Sequence, residues 1–465
     1  MTVNKRAKIG LLTGGYFEYW KMYPGLEKIV EAEMKRLAEG LEGKVDVVWS
    51  GLADTLEKTE AAGRQFRRED IDLLVICEGT YFPDYMPVQT MEYVRDVPIL
   101  FLLTQPHNYV PPDLDYPDAI HHSFGLVGVV QLTGACRKMG KPFEIIVGAL
   151  DDPALPDKVA EYARVVAAAR KLRFMNVGII GHTFQGMYDL EMDKTKLKAT
   201  LGPNVFYLEL GELLDFWHHI GDAQSDNLAR AITARYVLEG PGPDDVKSAC
   251  RLGLAMEQLA DKYQLAGLSH LCQHLIHVET GTTPCYAATR LIEKGIMVTC
   301  EGDIGNLVCM CLLHALTDDI PCFVEWGMYD ARENAMLLVH HGAGSPRLAK
   351  SPADVRITPT GEKWGFKGTG VSFRFMGKPG RVTIASLIND QEGWKMLITG
   401  GQAIDAPCRP YFGQQFMVKV DRPVEAYLES LCREGVTHHA ILIYGDLTRE
   451  LQQIVRLLKL RQFVL

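Results

Sequence analysis

Two uninterrupted apolar runs, residues 72–77 (DLLVIC) and 97–103 (VPILFLL), constrain the fold of this chain more than any other feature. Strands buried on both faces of a parallel sheet read this way, whereas half-exposed strands alternate apolar and polar residues. Stretches of helical spacing separate such runs. The strand-like segment 8–13 precedes an amphipathic stretch, Leu26–Leu41, and further short runs fall at 45–49 and 143–147. Strands alternating with helices predict a doubly wound α/β domain. An alanine-rich helical segment at 157–173 closes it, and the run 177–180 (VGII) opens a second α/β unit. That unit adds a strand at 205–210, helices at 222–238 and 243–263, and a strand at 297–300.

From about residue 318 the texture changes. Short alternating runs at 335–339, 371–375, 381–387, 396–399 and 415–420 are punctuated by glycine and proline, before a last strand at 439–444 and an amphipathic helix at 447–460. Such spacing predicts a barrel or sandwich. The expected architecture is two doubly wound α/β domains, 1–173 and 174–317, followed by a β-rich, barrel-like domain, 318–465.

Composition narrows the function classes. A length of 465 residues, 47% hydrophobic and 23% charged, allows two to four domains with large cores. A net charge of -9 lacks the basic footprint of a nucleic-acid binder. The most continuous apolar run, 307–313 (LVCMCLL), stops at His314, well short of the roughly 20 residues that span a bilayer. The N-terminal segment breaks at Gly14-Gly15 and reads as a strand rather than a secretory signal. Eleven scattered cysteines do not form a disulfide framework, so a reduced, cytoplasmic protein is expected.

Chemistry gathers at strand ends. Glu301 follows the run 296–300 within CEGD, and Glu325 ends the run 321–324. A carboxylate at the C-terminal edge of an α/β strand points into the crevice where ligands bind, though it also suits a helix N-terminus or a solvated loop. His340-His341 closes the run 336–339, and His438-His439 opens the run 440–444. Because neighbours on a strand face opposite ways, one imidazole of each doublet is expected to face a cavity and the other to turn away. Two acids and two imidazoles suit a divalent ion such as Mn²⁺ better than zinc. Cys309-Met-Cys311 reads as core. Neither a P-loop nor a nucleophile elbow is present, and GGYFEYW lacks dinucleotide glycine spacing, so no organic cofactor is expected. Thr104, Gln105, His121 and His122 could contact a polar ligand, and the rings of Tyr16, Phe17, Tyr19 and Trp20 either stack on a sugar or pack.

The order LLTGG, VICEGTYFPDYM, PILFLLTQ, FGLVGVVQLTGACRKMGKPFEIIVGALDDP, CYAATRLIEKGIMVTCEGD, NAMLLVHHG and GVTHHAILIYGD resembles the L-arabinose isomerase / L-fucose isomerase family over almost the whole chain. The resemblance implies an aldose–ketose isomerase of two α/β domains and a barrel-like domain, assembled as a homohexamer. It implies Mn²⁺, with Mg²⁺ and Co²⁺ as alternatives. Carried over position by position, Glu301 and Glu325 become the catalytic acids and metal ligands. His341 and His439 join them, with His340 competing for the first histidine position. Tyr16, His122, Met187 and His438 correspond to substrate contacts. Tyr16 stands where the arabinose pattern has Gln, and HHSFG replaces a longer polar run. L-arabinose to L-ribulose through a cis-ene-diolate is the best single expectation. L-fucose, D-arabinose and D-galactose are the alternatives, beside a non-catalytic sugar-binding protein on the same scaffold.

Overall fold

The computed structural model describes residues 6–112, 118–360, 370–410 and 413–465. The chain divides into two compact units, Met1–Arg170 and Lys171–Leu465.

The first unit is built on a five-stranded, all-parallel sheet. Its order is Asp46–Ala53, Lys8–Gly14, Leu73–Glu78, Ile99–Gln105, Glu144–Ala149. The run that dominates the sequence becomes the central strand Leu73–Glu78, every residue of it buried. Helices cover the sheet for local reasons. Leu56–Glu69, for example, starts where the Thr55 side chain accepts a hydrogen bond from the Lys58 N–H, and it buries Thr59, Ala62, Gly63 and Phe66 along one face. The strand order reverses at Lys8–Gly14, so the segments after Gly14 and after Glu78 flank the crevice at the carboxyl ends of the strands.

The second unit carries two sheets. A four-stranded parallel sheet runs Met297–Cys300, Leu265–His270, Asn176–Ile180, Asn204–Leu208. A larger, ten-stranded sheet contains a closed ring. Gly393–Ile404 pairs with Gly380–Asp390, which pairs with His439–Tyr444, then Cys322–Asp330, Ala335–Val339 and Gln414–Lys419, and the last returns to Gly393–Ile404. All six pairings are antiparallel, and closure leaves these strands no open edge. Val324, Phe375, Phe416, Val418 and Leu442 belong to one buried cluster with this sheet.

The helix Ile304–Thr317 contacts strands of both sheets and is apolar nearly all round, which is why Cys309 and Cys311 are core. The helix expected over 222–238 ends at Arg235, and Val237–Leu238 instead pairs in parallel with Arg356 and Ile357. Val237 is β-branched and suits a strand, and Gly240-Pro241-Gly242 prevents the helix from resuming before Pro243.

Candidate metal centre

Glu301 leaves the parallel strand Met297–Cys300 in a left-handed conformation, φ 62°, and Gly302 follows at φ 78°. A Cβ on Gly302 would lie 2.6 Å from the Thr183 Cα, so only glycine fits. The Glu301 carbonyl accepts the Phe184 N–H at 3.0 Å, pinning this turn to the loop 181–187. Asp303 then caps the buried helix, accepting the Asn306 N–H at 2.8 Å.

Glu325 is set by the ring. It sits opposite Val339 on one neighbouring strand and opposite His439 on the other, so the Glu325 and His439 side chains share a face. A bulge between Trp326 and Met328 follows at once, and Gly327 within it lies so near Val339 that a Cβ would come to 2.6 Å.

The side chains converge. His439 Nε2 lies 3.4 Å from Glu301 Oε2 and 4.0 Å from Glu325 Oε1. Glu325 Oε1 is 3.8 Å from His340 Nε2 and 3.7 Å from His341 Nε2. His438 Nε2 approaches Glu301 Oε2 at 3.6 Å. Among the described residues, two groups could each hold a metal ion: Glu301, His438 and His439, and Glu325, His340 and His439, with the candidate atoms of each group within 4.8 Å of one another. The residue common to both is His439. Of the two histidines of the first doublet, the second group contains His340, while His341 lies at the same range from Glu325.

Neither doublet splits as strand alternation requires: both imidazoles of each lie near an acid. The reason is their position. The strand Ala335–Val339 ends before His340, and the strand His439–Tyr444 begins after His438, so each doublet straddles or leaves a strand end where the pleat no longer dictates direction.

Two residues unread in the sequence complete the centre. Asp303 Oδ2 lies 3.0 Å from His439 Nδ1, both groups fully buried. Asp189 Oδ2 lies 2.6 Å from His438 Nδ1 and also accepts the His438 backbone N–H at 3.1 Å. Met187 precedes the short turn Tyr188–Leu190 that carries Asp189, on the loop tied to Glu301 through Phe184. Tyr16 and His122 belong to the first unit. The Tyr16 ring meets Phe17, Tyr19 and Tyr81 edge-on at 5.2, 5.4 and 6.0 Å, and His122 Nε2 lies 2.7 Å from Glu33 Oε2.

The electrostatics fit a cation. Burial works against charge on His439, yet the hydrogen bond to Asp303 and the nearby Glu301 outweigh it and lift its pKa to about 9. Burial, with His341 and His439 alongside, holds His340 well below the usual range, so it is neutral at pH 7. Both ring nitrogens of His340 and Nε2 of His439 are buried without a hydrogen-bond partner. Such orphaned nitrogens facing carboxylates are costly unless a proton or metal ion joins them.

No protein-family model matches the chain. Curated relatives do. A sulfoquinovose isomerase of Alkalicoccus urumqiensis is 25% identical over 72% of this chain and 75% of its own length. One of Priestia megaterium is 21% identical over 93% and 95%. An L-arabinose isomerase of Levilactobacillus brevis is 24% identical over 93% and 95%. These relatives, at modest identity, support an arabinose isomerase-like family. The relatives cover both compact units, and every residue of the candidate centre lies within the second.

Proposed function

We propose that this protein is a divalent-metal-dependent aldose–ketose isomerase. The observation that carries the reading is the convergence of Glu301 and Glu325 on one buried imidazole nitrogen, at 3.4 and 4.0 Å. Glu301, Glu325, His439 and a histidine of the 340–341 doublet would hold the ion. When bound, a divalent ion supplies Lewis-acid stabilisation of the negative charge that develops on the sugar oxygens during proton transfer.

The chain's own groups do the rest. Moving a carbonyl from C1 to C2 removes the C2 proton and returns it at C1. One carboxylate makes that transfer while the other serves the hydroxyl proton, a division of labour worth roughly 10²–10⁴-fold. His439 is oriented by Asp303, and His438 by Asp189. Tyr16, His122, Met187 and His438 are assigned to the sugar, and a homohexamer in the cytoplasm is the proposed assembly, checked by sedimentation velocity.

Relatives named sulfoquinovose isomerase and L-arabinose isomerase match over most of this chain. The departures at Tyr16 and at 121–125 (HHSFG) favour a sugar other than L-arabinose, which puts sulfoquinovose first. The test treats the protein with chelator, restores Mn²⁺, Mg²⁺ or Co²⁺, and scores ketose from sulfoquinovose, L-arabinose, L-fucose, D-arabinose and D-galactose. Ketose forming only with metal, and carrying solvent deuterium at C1 in heavy water, is expected. No ketose with any metal refutes the reading, and chelator-insensitive sugar binding without turnover marks a binding protein instead.

A further inference from the structure

Behind Glu301, two thiols face each other. Cys300 ends the strand Met297–Cys300 and stands in register with His270 on the neighbouring strand. Two residues beyond His270, Cys272 opens the helical turn Cys272–Ile276. The sulfurs of Cys300 and Cys272 lie 3.5 Å apart, and Cys300 Sγ is 3.9 Å from His270 Nδ1. Cys300 is buried, and Cys272 is partly exposed. No role assigned above uses either thiol. A disulfide has its sulfurs about 2.05 Å apart, so closing the pair draws them about 1.5 Å nearer.

We propose that Cys272 and Cys300 are a peroxide-sensitive pair whose reversible disulfide displaces Glu301 and silences the metal centre. The more exposed Cys272 sulfur attacks a hydroperoxide oxygen. The S–O bond forms as the O–O bond breaks, which leaves a sulfenic acid and one water. The Cys300 sulfur then attacks that sulfur. The S–S bond forms, the S–O bond breaks, and the departing hydroxide takes the thiol proton as a second water. Two thiols are oxidised, one peroxide is reduced, and a thiol reductant reverses the result.

The consequence follows from a turn without slack. Glu301 is the next residue after Cys300, its carbonyl is held by the Phe184 N–H at 3.0 Å, and Gly302 is seated against Thr183. Drawing the Cys300 side chain toward Cys272 moves the carboxylate that follows it. A displacement of about 1 Å in a reacting group costs on the order of a hundredfold in rate.

The activity arm of the test rests on the isomerase reading, and the chemical arm does not. The full-length protein is exposed to hydrogen peroxide, remaining thiols are alkylated, and peptides are mapped by mass. The exposed Cys408 and Cys432 report that oxidant has acted. The expected result is a linked peptide pair holding Cys272 and Cys300, lighter by two hydrogens, with ketose formation down roughly a hundredfold and restored by dithiothreitol. Cys272→Ser should turn over normally before peroxide and resist it afterwards, and Cys300→Ser should form no linked pair. Oxidation of Cys408 and Cys432 while Cys272 and Cys300 stay alkylatable overturns the proposal. So does a linked pair with undiminished activity, or equal peroxide sensitivity in Cys272→Ser. A linked pair in a protein that isomerises no aldose supports the dithiol chemistry and counts against the isomerase reading alone.

Discussion

His439 holds its Nδ1 3.0 Å from Asp303 Oδ2, a contact that joins positions 136 residues apart. It ties the cap of the buried helix Ile304–Thr317 to a strand of the closed ring and leaves Nε2 aimed at Glu301. An imidazole so held has a fixed orientation and a raised affinity for either a proton or a metal ion.

Asp303→Asn tests this link. Asparagine caps a helix about as well as aspartate, so the fold is kept, but the negative partner of His439 is gone. Mn²⁺ affinity measured by calorimetry should fall roughly 10–100-fold with little change in thermal stability. Unchanged affinity would separate Asp303 from the metal centre.

The second expectation concerns pH. The folded pKa of His439, about 9, is raised above the ordinary imidazole value of 6.5, so the metal-free protein gains stability from it below pH 6.5 and loses that gain as pH rises through about 9. A metal ion must displace the same proton. Apparent Mn²⁺ affinity should therefore rise about tenfold per pH unit across this window, levelling near its upper end. A flat profile would show that His439 carries no proton in the metal-free state.

Asp189→Asn removes the acid that positions His438. Because Asp189 holds both the ring and the backbone N–H of His438, metal affinity should hold while kcat/KM falls by about 10-fold or more. Loss of metal binding in this variant would place His438 among the ligands.

Much of the centre was legible in the residues because strand ends are where α/β folds put ligands. Glu301 and Glu325 follow apolar runs, and the histidine doublets bracket others. What the pattern lacked was direction. Alternation predicts one imidazole per doublet facing in, but both doublets sit at strand ends, outside the regular pleat. Asp303 carried a readable signal, since CEGD before an apolar helix is a capping position. Asp189 carried none: it lies 249 residues from His438 in the chain, and only the fold makes them neighbours. The closed ring was legible as short punctuated strands, whereas its return pairing between Gly393–Ile404 and Gln414–Lys419 depends on register that no local pattern encodes.

Glu78 yields a prediction for the first unit. Its side chain is buried at the end of the central strand, and burial, only partly offset by the Phe82 backbone N–H, pushes its pKa well above the usual carboxylate range. A raised carboxylate binds its proton more tightly folded than unfolded, so stability declines as pH climbs above the unfolded value, by roughly 1.4 kcal/mol per unit until the folded pKa is reached. Glu78→Gln should raise the thermal midpoint at pH 8, raise it much less at pH 5, and flatten the slope between. An equal effect at both values would mean that Glu78 is not neutral in the folded protein.

The most direct test of the central claim is Mn²⁺ stoichiometry, measured on chelator-treated wild type beside Glu301→Gln and Glu325→Gln. One ion per chain in the wild type is expected, with loss of that site in both variants, each still folded by circular dichroism. Wild-type protein that binds no divalent ion, or variants that bind it as the wild type does, would contradict the account.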